Sequence, residues 1–289
     1  MLTLKILLWC VLCGAAGYVM FRTLVKTMTK GGHVRLNFKG NYIPTSLGVG
    51  FVLLTIAMLF VLRVWQRSLT LMIGAMAVVV CGFGFLGLLD DMIQAREKGG
   101  FRGHLARMGA EGEVSTALLK AFFGFGTALL ASALFWWEQG PGMVFVNALI
   151  VALSANALNL LDVRPGRAVK GFAAGTLFIL IGSVIGSSIG NRAGIMPATW
   201  LLIGPFLAWV AVYAPIDFGR RGMLGDAGSN VLGAVLGLLI VWELSALNRL
   251  LALGLLIGYH LFTEAISLSA VIEKIPPLKW LDSLWVSRD

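Results

Sequence analysis

Nine apolar runs, each near the ~20 residues that carry a helix across a bilayer core, organise this chain. They fall at 4–21, 47–62, 69–89, 117–137, 143–161, 172–190, 199–214, 231–242 and 247–263. Hydrophobic residues make up 58% of the 289 and charged residues 13%, about half the roughly 25% that wets a soluble domain's surface. With 36 glycines and only eight prolines spread through apolar runs, the expected fold is all-α. It is a polytopic integral membrane bundle of about nine transmembrane helices, forming one transmembrane domain over 1–289. The first run reads as a retained span rather than a cleaved signal, because a basic stretch follows it. Cys10, Cys13 and Cys81 lie in apolar runs without metal-ligand spacing and read as reduced thiols.

The net charge of +9 would suit nucleic acid, but its distribution fits a membrane rule better. If the spans alternate, loops 22–46, 90–116, 162–171, 215–230 and the tail from 264 fall on one side with 18 basic residues, counting Lys120 just inside a span. The other side holds five. Lys and Arg collect in the cytoplasm, so the N-terminus is expected outside and the C-terminus inside. In the cytoplasmic tail, 264–289, Leu278, Leu281, Leu284 and Trp285 follow Pro276-Pro277 at helical spacing, suiting either a short interfacial helix or packing against the bundle. Glycine pairs at 171/175, 182/186/190, 233/237 and 254/258 have the spacing of close helix contacts.

Asp90, Asp91, Asp162, Asp217 and Asp226 each fall at or near the cytoplasmic end of a span. Acids at that depth are costly and mark substrate or ion paths. Amid 18 basic residues, they suit a polyanionic substrate with a divalent metal, because Mg²⁺ takes carboxylate together with phosphate oxygens. Helix capping or pairing with Arg is the plain alternative for any one of them. It is weakest for Asp90-Asp91, whose adjacent carboxylates repel. Gly225-Asp226-Ala227-Gly228-Ser229 is a small-residue turn before a span, open either to phosphate approach or to simple N-capping.

Taken in order, four segments resemble the polyprenyl-phosphate N-acetylhexosamine-1-phosphate transferase family. They are Asn37-Phe38-Lys39-Gly40 through Ile43-Pro44-Thr45 and Gly48; Gly84 to Asp90-Asp91 with Lys120 downstream; Asn156-Ala157-Leu158-Asn159 to Asp162; and Met223 to Ser229 followed by Gly233. The resemblance implies Mg²⁺-dependent transfer of a sugar-1-phosphate from a UDP-sugar to undecaprenyl phosphate, releasing UMP, at a bacterial inner membrane. It implies Asp162 and Asp226 as metal ligands, and Asp90, Asp91 and Lys120 as catalytic residues. Asn159 and Gly225 would bind substrate. Expected partners are the lipid phosphate, the nucleotide-sugar donor and the membrane, with a homodimer left open and no nucleic acid.

The chain also departs from that family. Relatives continue Asp-Gly-x-Asp-Gly, whereas Asp162 is followed by Val163-Arg164-Pro165-Gly166-Arg167. Arg164, Arg167 and Lys170 stand in that place as candidate phosphate binders. The family's histidine-rich late loop is absent; His33, His104 and His260 are scattered. A non-catalytic relative that binds polyprenyl phosphate is the alternative. A proton or cation transporter fits less well, because the acids gather at one face and not at the midplane.

Overall fold

The computed structural model describes residues 2–37, 39–93, 116–189 and 197–287. Phe38, His104 and Gly190 lie outside them. The order is α1 (Leu2–Lys30), β1 (Val34–Leu36), β2 (Tyr42–Pro44), α2 (Val49–Trp65), α3 (Thr70–Ile93), α4 (Thr116–Trp136), α5 (Pro141–Leu161), α6 (Arg167–Ile189), α7 (Pro197–Phe218), α8 (Asp226–Glu243), α9 (Ala246–Ala265), α10 (Leu268–Lys274) and α11 (Pro276–Ser283).

Eight of these helices are long and apolar enough to cross a membrane. The ninth expected span, α2, has 17 residues and measures about 26 Å at 1.5 Å per residue, a little short of a ~30 Å hydrocarbon core. One element was not expected. The loop after α1 folds into a hairpin, with Arg35 opposite Ile43 and Leu36 opposite Tyr42. Asn37 turns it, its side chain accepting the amides of Lys39 and Asn41 at 2.9 and 3.0 Å.

The perimeter is the reverse of a soluble protein's. Phe60, Phe122, Phe178 and Leu255 are each more than 70% exposed, a surface that only lipid tolerates. The protein is a multi-pass membrane protein. Its centre is α8, buried on nearly every side. Small residues permit this: a Cβ on Gly237 would lie 2.6 Å from the Cα of Val151, and one on Gly233 2.6 Å from the Cα of Ala155. The 233/237 pair therefore packs α8 against α5 backbone to backbone, as its spacing predicts. Gly182, Gly254 and Gly258 face open space instead. An aromatic group ties α1, α2 and α7, with Phe21 4.9 Å from Phe51 and 5.2 Å from Tyr213. The Trp209 indole donates to the Cys13 carbonyl at 2.8 Å. All three cysteines are free.

The expected tail helix is α11, with a proline in its first turn and Leu278, Leu281 and Trp285 largely exposed. The tail is also pinned to the bundle: the Ser287 amide donates to the Phe218 carbonyl at 2.9 Å, and Trp285 stacks on Phe218 at 6.1 Å.

Candidate active site

The span expected at 231–242 starts earlier, because Asp226 to Asn230 form the first turns of α8. Three contacts hold that start. Gly225, at φ +74°, adopts a backbone that L side chains rarely take, and a Cβ there would meet Asp91 Oδ2 at 2.5 Å. Gly87 of α3 lies against the Asp226 carbonyl and the Ala227 nitrogen, the latter 2.5 Å from where its Cβ would sit. Gly48 lies against the backbone of Gly228. The segment 44–48 runs beside 223–224: the Met223 amide donates to Pro44 at 2.8 Å, Leu47 to Met223 at 3.1 Å and Gly48 to Leu224 at 2.9 Å. Three of the four motifs thus meet at one joint, and their glycines make the approach possible.

The aspartate pair divides there. Asp91 is 5% exposed, and its carboxylate accepts the amides of Asp226 at 3.0 Å and Ala227 at 3.3 Å. It caps α8 from outside, matching negative charge to the positive end of the helix. Arg35 donates to the Asp91 carbonyl, anchoring the hairpin to the end of α3. Asp90, with 43% of its side chain exposed, is engaged by a lysine instead. Its Oδ2 accepts from Lys120 Nζ at 2.6 Å, and the same ammonium donates to Asp226 Oδ2 at 2.7 Å.

α5 brings the third motif. Asn159 donates to Ser229 Oγ at 3.2 Å, and Ser229 donates back to the Gly225 carbonyl at 3.1 Å. Asp162 ends α5. Its carboxyl is pushed well above the usual aspartate range by burial and by the carboxylates of Asp217, Asp226 and Asp91, with the Gly225 amide partly offsetting them. Asp217 is 4% exposed and accepts the Gly166 amide at 2.8 Å, fixing the turn after Asp162. Its depth in the sequence pointed to it, but no motif assigned it a partner.

The donor set is one of hard carboxylate oxygens, the kind Mg²⁺ takes. Among the described residues no three His, Cys, Asp or Glu side chains converge as a metal cage. Mg²⁺ does not require one, since it is usually bound through one or two carboxylates plus substrate phosphates and water. The residues therefore fit a magnesium ion that arrives with a phosphorylated substrate.

The three cations after Asp162 turn to the tail. Arg167, whose side chain is 4% exposed, donates to both carboxylate oxygens of Asp282 at 2.7 and 2.8 Å and to Ser269 Oγ at 2.7 Å. Lys170 donates to the carbonyls of Leu281 and Asp282 at 2.9 and 2.8 Å. Arg164 lies 3.7 Å from Glu273. Expected as phosphate ligands, they form a latch here, which sequence reading missed because Asp282 lies 115 positions from Arg167. The guanidinium holds the Asp282 carboxyl below its usual range.

The fold and site define a multi-pass membrane protein with carboxylates and a lysine gathered at the ends of four helices. No family model matches the chain, but curated proteins do, and three of them are phospho-N-acetylmuramoyl-pentapeptide-transferases. That of Hydrogenobaculum sp. (strain Y04AAS1) is 25% identical over 257 residues, covering 78% of this chain and 67% of the relative. That of Dinoroseobacter shibae is 27% identical over 263 residues, covering 78% and 69%. That of Clostridioides difficile (strain 630) is 26% identical over 198 residues, covering 66% and 57%. The chain is thus distantly similar to these enzymes, at about a quarter identity over most of its length.

Proposed function

We propose that the protein transfers a sugar-1-phosphate from a nucleotide sugar, UDP-linked, to undecaprenyl phosphate at the inner leaflet and releases UMP. The observation that carries this is the convergence of Asp90, Lys120 and Asp226, from three helices, on one ammonium-centred cluster beside Asp162. An oxygen of the lipid phosphate attacks the donor phosphorus that bears the sugar. A new phosphoanhydride bond forms, and the bond to the UMP oxygen breaks. The reaction spreads negative charge over the transferring group, so catalysis is mainly positioning and neutralisation.

Asp226 and Asp162 would hold Mg²⁺, which would supply charge neutralisation at the donor phosphates. Asp90, the open member of the pair, is placed to orient or deprotonate the acceptor phosphate. Asp91 acts through the helix it caps. Lys120 is the cation available to a phosphate, and Asn159 fixes Ser229 and the Gly225 turn. The excess of basic residues in these loops supports a cytoplasmic site, an N-terminus outside and a C-terminus inside.

A second reading is a non-catalytic binder of polyprenyl phosphate. Arg167 and Lys170 support it, because the tail occupies the groups that a donor's phosphates would use. Purified protein incubated with labelled UDP-GlcNAc, undecaprenyl phosphate and Mg²⁺ tests both. Lipid-linked sugar phosphate that vanishes in Asp226→Asn is expected. Binding of the lipid without turnover of any donor in a nucleotide-sugar panel would establish the second reading.

A further inference from the structure

A cleft of about 370 Å³ lies between the tail and the turns that follow Asp162 and Phe218. Arg164, Arg220 and Lys279 line it, with Ser283 and Ser287 beside them. Two acids also reach it, Glu273 and Asp282. The Asp282 charge is already answered, since both its oxygens accept from the Arg167 fork. Glu273 meets Arg164 only at 3.7 Å. Lys279 makes no ion pair among the described residues, and its ammonium is carried on α11. The formal balance in the cleft is cationic, three basic side chains to two acids, which is the chemistry that receives a phosphate oxyanion.

The depth of the cleft identifies the source of that phosphate. It sits where α7 ends at Phe218, and Trp285, which is 73% exposed, stacks there. Trp280 and Leu281, on the same helix as Lys279, are 62% and 48% exposed. Exposed tryptophan and leucine at the end of a span mark the headgroup layer. We propose that this cleft is a second phosphate-binding site, separate from the aspartate cluster, and that it takes the headgroup of an anionic phospholipid. The tail then does two things: Asp282 latches it to the bundle, and Lys279 closes the cleft over the lipid phosphate.

The test uses the full-length protein in nanodiscs of phosphatidylcholine with phosphatidylglycerol, and native mass spectrometry to count the phosphatidylglycerol retained. Lys279→Ala is expected to reduce retention about fivefold, the loss of one interfacial cation, and Lys279→Arg to restore it. Lys274→Ala removes a tail cation that does not line the cleft and is expected to change nothing. Equal loss in the Lys274 and Lys279 variants, or no loss in Lys279→Ala, would overturn the proposal. Titration of lipid-stripped protein with inorganic phosphate separates the sources. Tight phosphate binding that depends on Lys279, with no retained lipid, would assign the cleft to a soluble phosphate and overturn the lipid. Because the readout is binding, the result is independent of whether the protein turns over a nucleotide sugar.

Discussion

The carboxylate of Asp91 accepts the amide of Asp226 at 3.0 Å, so the last turn of α3 fixes the first residue of α8. Adjacent in sequence to Asp90, Asp91 holds the backbone of Asp226 while Asp90 shares Lys120 with its side chain. Replacing it with alanine leaves two helix-end amides buried without an acceptor and is expected to cost about 1–3 kcal/mol. Thermal unfolding in detergent should register that loss. Asp90→Ala, which breaks a half-exposed ion pair, should cost no more than about 1 kcal/mol while abolishing turnover.

Gly87→Ala tests the same joint by overfilling it. The added methyl would press on the Asp226 carbonyl and lie 2.5 Å from the Ala227 nitrogen, both of them backbone that cannot swing aside. Overpacking of this kind costs about 1–3 kcal/mol. The expected result is a folded protein with a lowered unfolding midpoint and turnover reduced by a hundredfold or more (~10²), since a displacement of about 1 Å at a reacting centre has that effect.

Lys120 holds two carboxylates at 2.6 and 2.7 Å, so a divalent ion bound to Asp226 must compete with it. Lys120→Met removes the competitor. Mn²⁺ affinity, read by electron paramagnetic resonance, is expected to rise about tenfold from the lost like-charge repulsion, while turnover falls. Unchanged or weaker Mn²⁺ binding would show that Lys120 and the metal do not share Asp226.

The pH dependence of stability carries two opposite signs. Asp162 titrates well above its ordinary 3.8 in the folded protein, so the fold binds its proton more tightly than the unfolded chain does. Its contribution is fully present below 3.8 and is lost as pH rises through the folded value. Asp282 is lowered; its contribution is present above 3.8 and is lost as pH falls through its folded value. With EDTA present, Asp162→Asn should flatten the alkaline-going decline in unfolding midpoint, and Asp282→Asn the decline on the acid side.

Asp282→Asn also breaks the latch at neutral pH. Stranding a guanidinium that is 4% exposed is expected to cost about 3 kcal/mol, the low end for a buried pair because Asp282 is partly open. Limited proteolysis should cut the tail faster in this variant. An Arg167→Met, Asp282→Leu double variant should recover part of the loss.

Much of the bundle was legible because bilayer thickness writes itself directly into run length. The spans at 4–21, 69–89 and 247–263 reappear as helices within a few turns of their expected ends. Lys120, Asp90 and Asp226 could be placed on one face because alternation of spans fixes which end each occupies. The division of labour between Asp90 and Asp91 could not be read, since it depends on the rotation of α3 against α8. α8 begins before the expected position 231 because Asp226 to Asn230 are polar or small, and hydropathy alone excludes them. The hairpin and the Arg167–Asp282 latch were out of reach for a different reason. Both are long-range pairings of polar groups at loop positions, where no periodicity constrains the partner.

The enclosure of α8 has a mechanical consequence. Enclosed by protein along nearly its whole length, it is expected to carry a displacement of its far end at Trp242 to Asp226. A disturbance at the Trp242 end of the bundle should therefore be felt at the opposite end as a shift of one carboxylate along the helix axis. Alterations to the outward rings of Phe60 or Phe178 have no such axle to turn.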